Sequence, residues 1–398
     1  MDSLCIRCKG KGLCGKPCKI LAAARASVAG VKSVKERFSG SAPGVFVGHY
    51  GYPKLNLGIL SPAFVDERAW MLDAPGFWYD KKYPVERVLQ NRYQLINSRR
   101  PTKVKSTRNK LLDAAQEIAM ARRPVDSEFV LKKKPRVAVH LDTRNAPIGT
   151  TADVRRVRIT ENVKIKGKVD YIVSDDLKAE EQINKLHNII DVNQIQRILS
   201  VGLLGMKSQK KIVPTRWSIT ATDDMVFKGL IKDVKRQPFV NNYLLFENEY
   251  LGNHFVILLM PRQWSFEVIE AWRPNSFWSQ GSLQIAQDYE SFFGRKTYAS
   301  SVTGGYYAAR LGVAEYLAKI RRQASVLVLR EISSKYWLPL GVWVVRETAR
   351  GCFANKPLRF NTLDAAIEEI KQRIRMPWQR RSWLLRELKQ KTVREFET

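Results

Sequence analysis

The chain has 398 residues, of which 44% are hydrophobic, 10% aromatic and 27% charged, a composition that excludes wholesale disorder, collagen-like repeats and a disulfide miniprotein. That length suits two or three compact units of roughly 100 to 200 residues each. Charge is where the chain departs from the ordinary: 68 Lys and Arg against 38 Asp and Glu leave +30, and a field of that size attracts polyanions, nucleic acid first among them.

No stretch approaches the roughly 18 to 20 consecutive apolar residues that span a bilayer, and the longest apolar run, Phe255 to Met260, is strand-sized. Cys5, Arg7, Cys8 and Lys9 interrupt the N-terminus before a signal-peptide region forms. A cytoplasmic protein with no membrane partner is expected.

Cys5, Cys8, Cys14 and Cys18 read C-x2-C-x5-C-x3-C, with Gly10, Gly12, Gly15 and Pro17 letting the backbone fold tightly between them. So short a segment has no core in which to hide thiols, so the spacing predicts a metal clip. Structural zinc is the expected occupant; an iron–sulfur cluster also takes four thiolates. Lys9, Lys11, Lys16 and Lys19 offset the charge of such a site.

After helix formers in Ile20 to Val34, the small residues Gly40 to Gly44 end the first segment, and VFVGHYGYP (Val45 to Pro53) begins a larger body with a strand and a turn. Arg99 to Arg136 is strongly basic around a helix-like run, Lys110 to Ala121. Lys103, Lys105, Arg108, Lys132, Lys133 and Lys134 are the candidate nucleic-acid contacts there. Strand alternation follows at Val137, Val139 and Leu141 and at Val154, Val157 and Ile159. Asp175 or Asp176 is then expected to cap a helix carrying Ile183, Leu186, Ile189 and Ile190.

Tyr243 to Pro261 reads as a hairpin turning at Leu251, Gly252 and Asn253, with further strands at Phe266 to Trp272, Val326 to Ile332 and Gly341 to Val345. Helices are predicted over Tyr306 to Arg322 and after Asn361. The fold class is α+β: a small four-cysteine zinc knuckle (1–40), a large mixed α/β body (41–377) and a basic helical C-terminal tail (378–398).

Nucleotide-loop, zinc-protease and nucleophile-elbow signatures are missing. His49, His140, His187 and His254 are scattered, and the pairs Asp175–Asp176 and Asp223–Asp224 read more readily as helix caps than as magnesium ligands. GRKTYASSVTGG (Gly294 to Gly305) opens a helix, and Arg295, Lys296, Gly304 and Gly305 form a candidate phosphate or nucleotide pocket. That pocket supports an alternative reading as a nucleotide- or nucleic-acid-processing enzyme. Among ten tryptophans, Trp217, Trp264, Trp272, Trp278 and Trp343 include possible base-stacking platforms, although most should be core.

Beyond Pro377 the chain is basic and amphipathic, and it ends QKTVREFET. Gln390, Val393 and Phe396 stand at i, i+3 and i+6, so a tight helical turn aligns the apolar pair. This resembles the PIP box by which repair factors dock on the sliding clamp PCNA, with Glu397 where a second aromatic would stand.

The four-cysteine start, VGHYGYPKLNLG (Val47 to Gly58), DDLKAEE (Asp175 to Glu181), VPTRWSITATDD (Val213 to Asp224), EVIEAWRP (Glu267 to Pro274), GRKTYASSVTGGYYAARLGVAEYL (Gly294 to Leu317) and RQASVLVLREI (Arg322 to Ile332) together resemble the archaeal Nre family of DNA repair proteins, NreA type. The resemblance spans nearly the whole chain. It implies a zinc-bearing DNA repair factor with Cys5, Cys8, Cys14 and Cys18 as ligands, associated with PCNA through Gln390, Val393 and Phe396, and fixes no catalytic motif.

Overall fold

The computed structural model describes residues 34–389 except 107–108, 136–146, 278 and 280, together with positions 15, 18 and 22. These residues divide into two compact units, the first ending at Val226 and the second beginning at Phe227, with Pro339–Gly341 belonging to the first. Both are mixed α+β, as expected. The predicted strand at Val137, Val139 and Leu141 lies outside the described residues.

The first unit is organised on a sheet of β1 (Arg37–Ala42), β2 (Gly44–Val47), β3 (Lys54–Ser61), β4 (Ile96–Lys103), β5 (Val125–Leu131) and β6 (Thr151–Ile159), in the order β1-β5-β6-β4-β3-β2. All neighbours are antiparallel except β4 and β6. β5 reads VDSEFVL and buries its alternate residues Val125, Ser127, Phe129 and Leu131, which is the period-two signature of a strand with one solvated face. The helix Lys110–Met120, started by Asn109 Oδ1 accepting from the Leu111 N–H at 3.1 Å, lays Leu111, Ala115 and Ile118 against β2, β3 and β6.

The second unit carries β7 (Tyr243–Tyr250), β8 (Asn253–Met260), β9 (Ser265–Trp272), β10 (Gln284–Glu290), β11 (Ser325–Ile332) and β12 (Leu358–Phe360), ordered β10-β9-β11-β8-β7-β12. β8 and β11 carry continuous apolar runs, Phe255 to Met260 and Val326 to Leu329, because both faces are covered. Phe255, Ile257, Val326 and Val328 pack in the core that includes Tyr306 and Val313 of helix Gly304–Ile320, while Val256, Leu258, Leu327 and Leu329 pack with Ile367 and Ile370 of helix Leu363–Arg373. A Cβ at Gly312 would lie 3.4 Å from the Arg350 backbone nitrogen, so the glycine sets the close approach of Gly304–Ile320 to helix Trp343–Cys352.

Two buried carboxylates hold the chain's C-terminal stretch to this sheet. Glu267 accepts from Ser382 Oγ at 2.5 Å and from the Trp383 and Leu384 N–H groups at 2.8 and 3.3 Å, satisfying the open first turn of helix Trp383–Lys389. Glu331 accepts from the Arg375 and Met376 N–H groups at 3.0 and 2.7 Å and pairs with Arg273. Trp378, Leu384 and Leu385 are buried in the core. The segment read from sequence as a basic helical tail is thus packed on the sheet from Trp378 to Leu388.

Gly341 to Val345, expected as a strand, instead begins helix Trp343–Cys352, which buries Val345, Ala349 and Cys352 at helical spacing. A five-residue apolar run carries no period of its own, and the contacts of the next two turns decide it. The expected cap at Asp175 or Asp176 is also corrected. Asp175 terminates helix Gly167–Ser174, and the next helix, Ala179–His187, starts after Lys178 without a side-chain cap. Ile189 and Ile190 fall beyond that helix's end.

Glu267→Ala should leave the donors of Ser382, Trp383 and Leu384 without an acceptor and cost roughly 2 to 4 kcal/mol, read as a lower urea midpoint and faster amide exchange over 383–389. Burial pushes the Glu267 carboxyl above the ordinary glutamate value of 4.5, against the pull of its donors. A raised folded-state value means that the stability tied to this group is full below about 4.5 and declines as pH rises through the raised value. The wild-type midpoint should therefore fall relative to that of Glu267→Gln as pH is raised from acid toward neutral; parallel curves would contradict it.

Candidate nucleic-acid interface

One corner of the first unit gathers cations and open aromatic rings. Lys54 at the start of β3 and Lys103 at the end of β4 are direct partners in the antiparallel register, and both are exposed. Like charges placed opposite one another destabilise a strand pair. The Val104 N–H donates to Pro53 O at 3.0 Å and the Ile212 N–H to Val104 O at 2.9 Å, which brings exposed Lys105 and Lys211 to the same end of the sheet. Among the described residues none of Lys54, Lys103, Lys105 and Lys211 has an ion-pair partner.

The loop between β2 and β3 stands beside them. Gly51 takes φ +88°, and its carbonyl accepts from the Lys54 N–H at 2.8 Å, so the loop closes tightly and turns Tyr50 and Tyr52 outward, 66% and 56% exposed. Thr215 Oγ1 accepts from the Val47 N–H at 2.8 Å and pins the start of helix Thr215–Val234 to the end of β2. Trp217, 49% exposed in the first turn of that helix, sits 6.5 Å from the Tyr52 ring, with exposed Arg216 before it. Two sequence segments far apart in the chain, VGHYGYPKLNLG and VPTRWSITATDD, thus meet.

Lys132, Lys133 and Lys134 are exposed but do not join this corner. The Lys132 N–H donates to Asp153 O, and Asp153 is level with Arg99 of β4, four residues and about 13 Å back from Lys103. They extend a second basic face, on which the rows Arg37–Val130–Arg156 and Ser39–Glu128–Arg158 run across β1, β5 and β6 beside a groove of about 400 Å³. Arg108 lies outside the described residues.

In the second unit the segment Gly294 to Gly305 already holds an anion of its own. Asp288 Oδ2 accepts from the Ser301 and Val302 N–H groups at 3.1 and 2.7 Å, and Arg295 lies 3.3 Å from Asp288 while donating to Tyr289 O at 2.7 Å. Lys296 is exposed, whereas Gly304 and Gly305 are buried; a Cβ at Gly305 would stand 3.6 Å from Glu270 Oε2. Glu270 and Arg330 are buried register partners on β9 and β11, joined in an ion pair that Asn253 and Trp272 complete. Asp223 and Asp224, expected at a helix start, lie inside Thr215–Val234, where buried Asp223 accepts from Gln196 Nε2 at 3.3 Å.

Among the described residues no group of three His, Cys, Asp or Glu side chains is placed to hold a metal ion. Cys5, Cys8 and Cys14 lie outside the described residues, as do Gln390, Val393 and Phe396, and Cys18 is a half-buried free thiol. No described helix is long and apolar enough to cross a membrane. Sequence reasoning missed Lys54, Tyr50, Tyr52 and Arg216, whose convergence depends on strand register. Arg156 and Arg158, alternating within VRRVRI, were readable as one face of a strand.

Lys54→Glu should replace a repulsive cross-strand pair by an attractive one and stabilise the protein by roughly 0.5 kcal/mol. An unchanged or lower urea midpoint would show that the two lysines do not oppose each other in solution.

The archaeal Nre N-terminal model matches residues 13–279 and the archaeal Nre C-terminal model residues 290–396. The chain is 37% identical to DNA repair protein NreB of Archaeoglobus fulgidus over 98% of its own length and 99% of that protein. It is 37% identical to DNA repair protein NreA of the same organism, covering 93% of each chain, and 37% identical to DNA repair protein NreA of Haloferax volcanii, covering 84% of this chain and 82% of that one. No solved structure matches. With both models and near full-length relatives in agreement, the chain belongs to the archaeal Nre family of DNA repair proteins.

Proposed function

We propose that this member of the family binds DNA through the basic faces of its first unit and docks on the PCNA sliding clamp through Gln390, Val393 and Phe396. The observation that carries the DNA half is the unneutralised Lys54–Lys103 pair beside exposed Tyr52 and Trp217. A phosphate backbone laid across the lysines relieves their repulsion and releases counterions, while unpaired bases find aromatic faces to stack on. The basic face of Arg37, Arg156 and Arg158, with Lys132 to Lys134 close by, extends the track for phosphates.

Support for the clamp half comes from the place of the motif in the chain. Gln390 directly follows helix Trp383–Lys389, which is held on β9 by Glu267, so the nine residues 390–398 reach at most roughly 30 Å from a fixed mount. A docking motif so placed would keep the DNA-binding faces at high local concentration around the clamp.

Zinc is the third element of the proposal, on Cys5, Cys8, Cys14 and Cys18. The half-buried free thiol of Cys18 is compatible with a ligand role, and four thiolates would close the ion's coordination and supply structure rather than hydrolysis. Metal analysis of the purified chain should find about one zinc per molecule, lost in Cys8→Ser; iron, or no metal, would remove this element.

The experiment for the whole proposal has two arms. Lys54→Glu combined with Lys103→Glu should weaken binding to a short DNA oligomer at least tenfold and leave clamp binding intact. Phe396→Ala should do the reverse in a titration with purified clamp. Should either variant match the wild type in its own arm, that half of the proposal is lost.

A further inference from the structure

β10 is the outer strand of the second sheet, and at its end the chain reverses through Ser291, Phe292, Phe293 and Gly294. The turn is closed by the Gly294 N–H donating to Ser291 O at 2.9 Å, with Gly294 at φ +77°. Both feet are fastened. Before the turn, buried Glu290 accepts from Trp264 Nε1 at 3.0 Å and pairs with Arg310; after it, Arg295 reaches back to Tyr289 O and Asp288.

The two phenyl rings at the tip have opposite fates. Phe292 packs against the core, and Lys235 Nζ donates to its carbonyl while lying 4.8 Å from its ring centre. Phe293 points the other way, 93% exposed, and meets the Phe292 ring edge-on at 5.7 Å. A stapled turn therefore holds an aromatic ring out in water. A Cβ built on Gly294 would meet nothing within 4 Å, so nothing crowds the turn at that residue.

We infer that Phe293 is a stacking wedge for an unpaired or unstacked base of DNA. The chemistry around it selects this occupant. Lys235 reaches the Phe292 carbonyl and exposed Lys296 follows the turn, which suits a polyanion, while the turn's own Ser291 and Gly294 and the following Lys296 and Thr297 are not apolar. A single aromatic ring with cations around it is the pattern by which wedge residues enter a base step and single-strand binders hold a base. The inference rests on the DNA-binding reading above and adds to it a named base contact in the second unit.

The test uses the full chain and a single-stranded oligonucleotide carrying 2-aminopurine. Phe293→Ala should weaken binding about tenfold and abolish the change in 2-aminopurine fluorescence that marks stacking, while the dependence of affinity on salt stays as in the wild type, because no phosphate contact is removed. Phe293→Trp should restore both. Equal affinity and equal fluorescence for wild type and Phe293→Ala would overturn the inference and leave the DNA-binding reading standing. Loss of clamp binding with unchanged DNA binding would overturn it in favour of a protein pocket, and a wild-type chain that binds no DNA at low salt would sink both.

Discussion

The arrangement of this protein depends on buried carboxylates that are committed inside the second unit. Glu267 and Glu331 anchor the C-terminal segment, Glu270 and Glu290 neutralise Arg330 and Arg310, and Asp288 ties down the loop before helix Gly304–Ile320. Each is nearly inaccessible to water, and each is satisfied by several donors, as a charge in a low-dielectric interior requires. Acidic groups used in this way screen little outside. The exterior is accordingly more basic than the ratio of 68 cationic to 38 acidic residues conveys.

That surplus is organised. On the first unit, strand pairing rows Arg37 with Arg156 and sets Lys54 directly against Lys103, and the second arrangement is one that folding stability would not favour. Repulsion tolerated at a defined place is consistent with an external anion that removes it. The open rings of Tyr50, Tyr52 and Trp217 add apolar, flat surface to the same corner. On the proposed reading, a clamp-binding motif that begins at the packed C-terminal helix would turn such a local contact into residence at the clamp.

Much of this fold was legible from the amino acids. The helices Lys110–Met120 and Leu363–Arg373 and the hairpin of β7 and β8 announce themselves by period, caps and a Leu-Gly turn. The misreadings share a cause: local signals that tertiary contacts override. Gly341 to Val345 is too short to show a period; Asp223 looks like a cap but is a buried acceptor inside a long helix; and the basic, amphipathic look of Trp383 to Lys389 conceals a face that the sheet covers. The candidate interface was half visible. Runs of lysine and arginine mark its cations, yet which of them face one another is fixed by register, which no single strand contains. Phe293 was not visible at all, since only the turn decides which of two adjacent phenylalanines goes in and which goes out.

The central claim is that the uncompensated surface charge grips a phosphate backbone. Its most direct measurement is the affinity of the full chain for a short DNA duplex as salt is raised from about 0.05 to 0.2 M. The account predicts a straight fall of log K against log salt with a slope of about −4 or steeper, the release expected when several phosphates are neutralised at roughly 0.9 ion each. A slope near zero, with binding present, would contradict it.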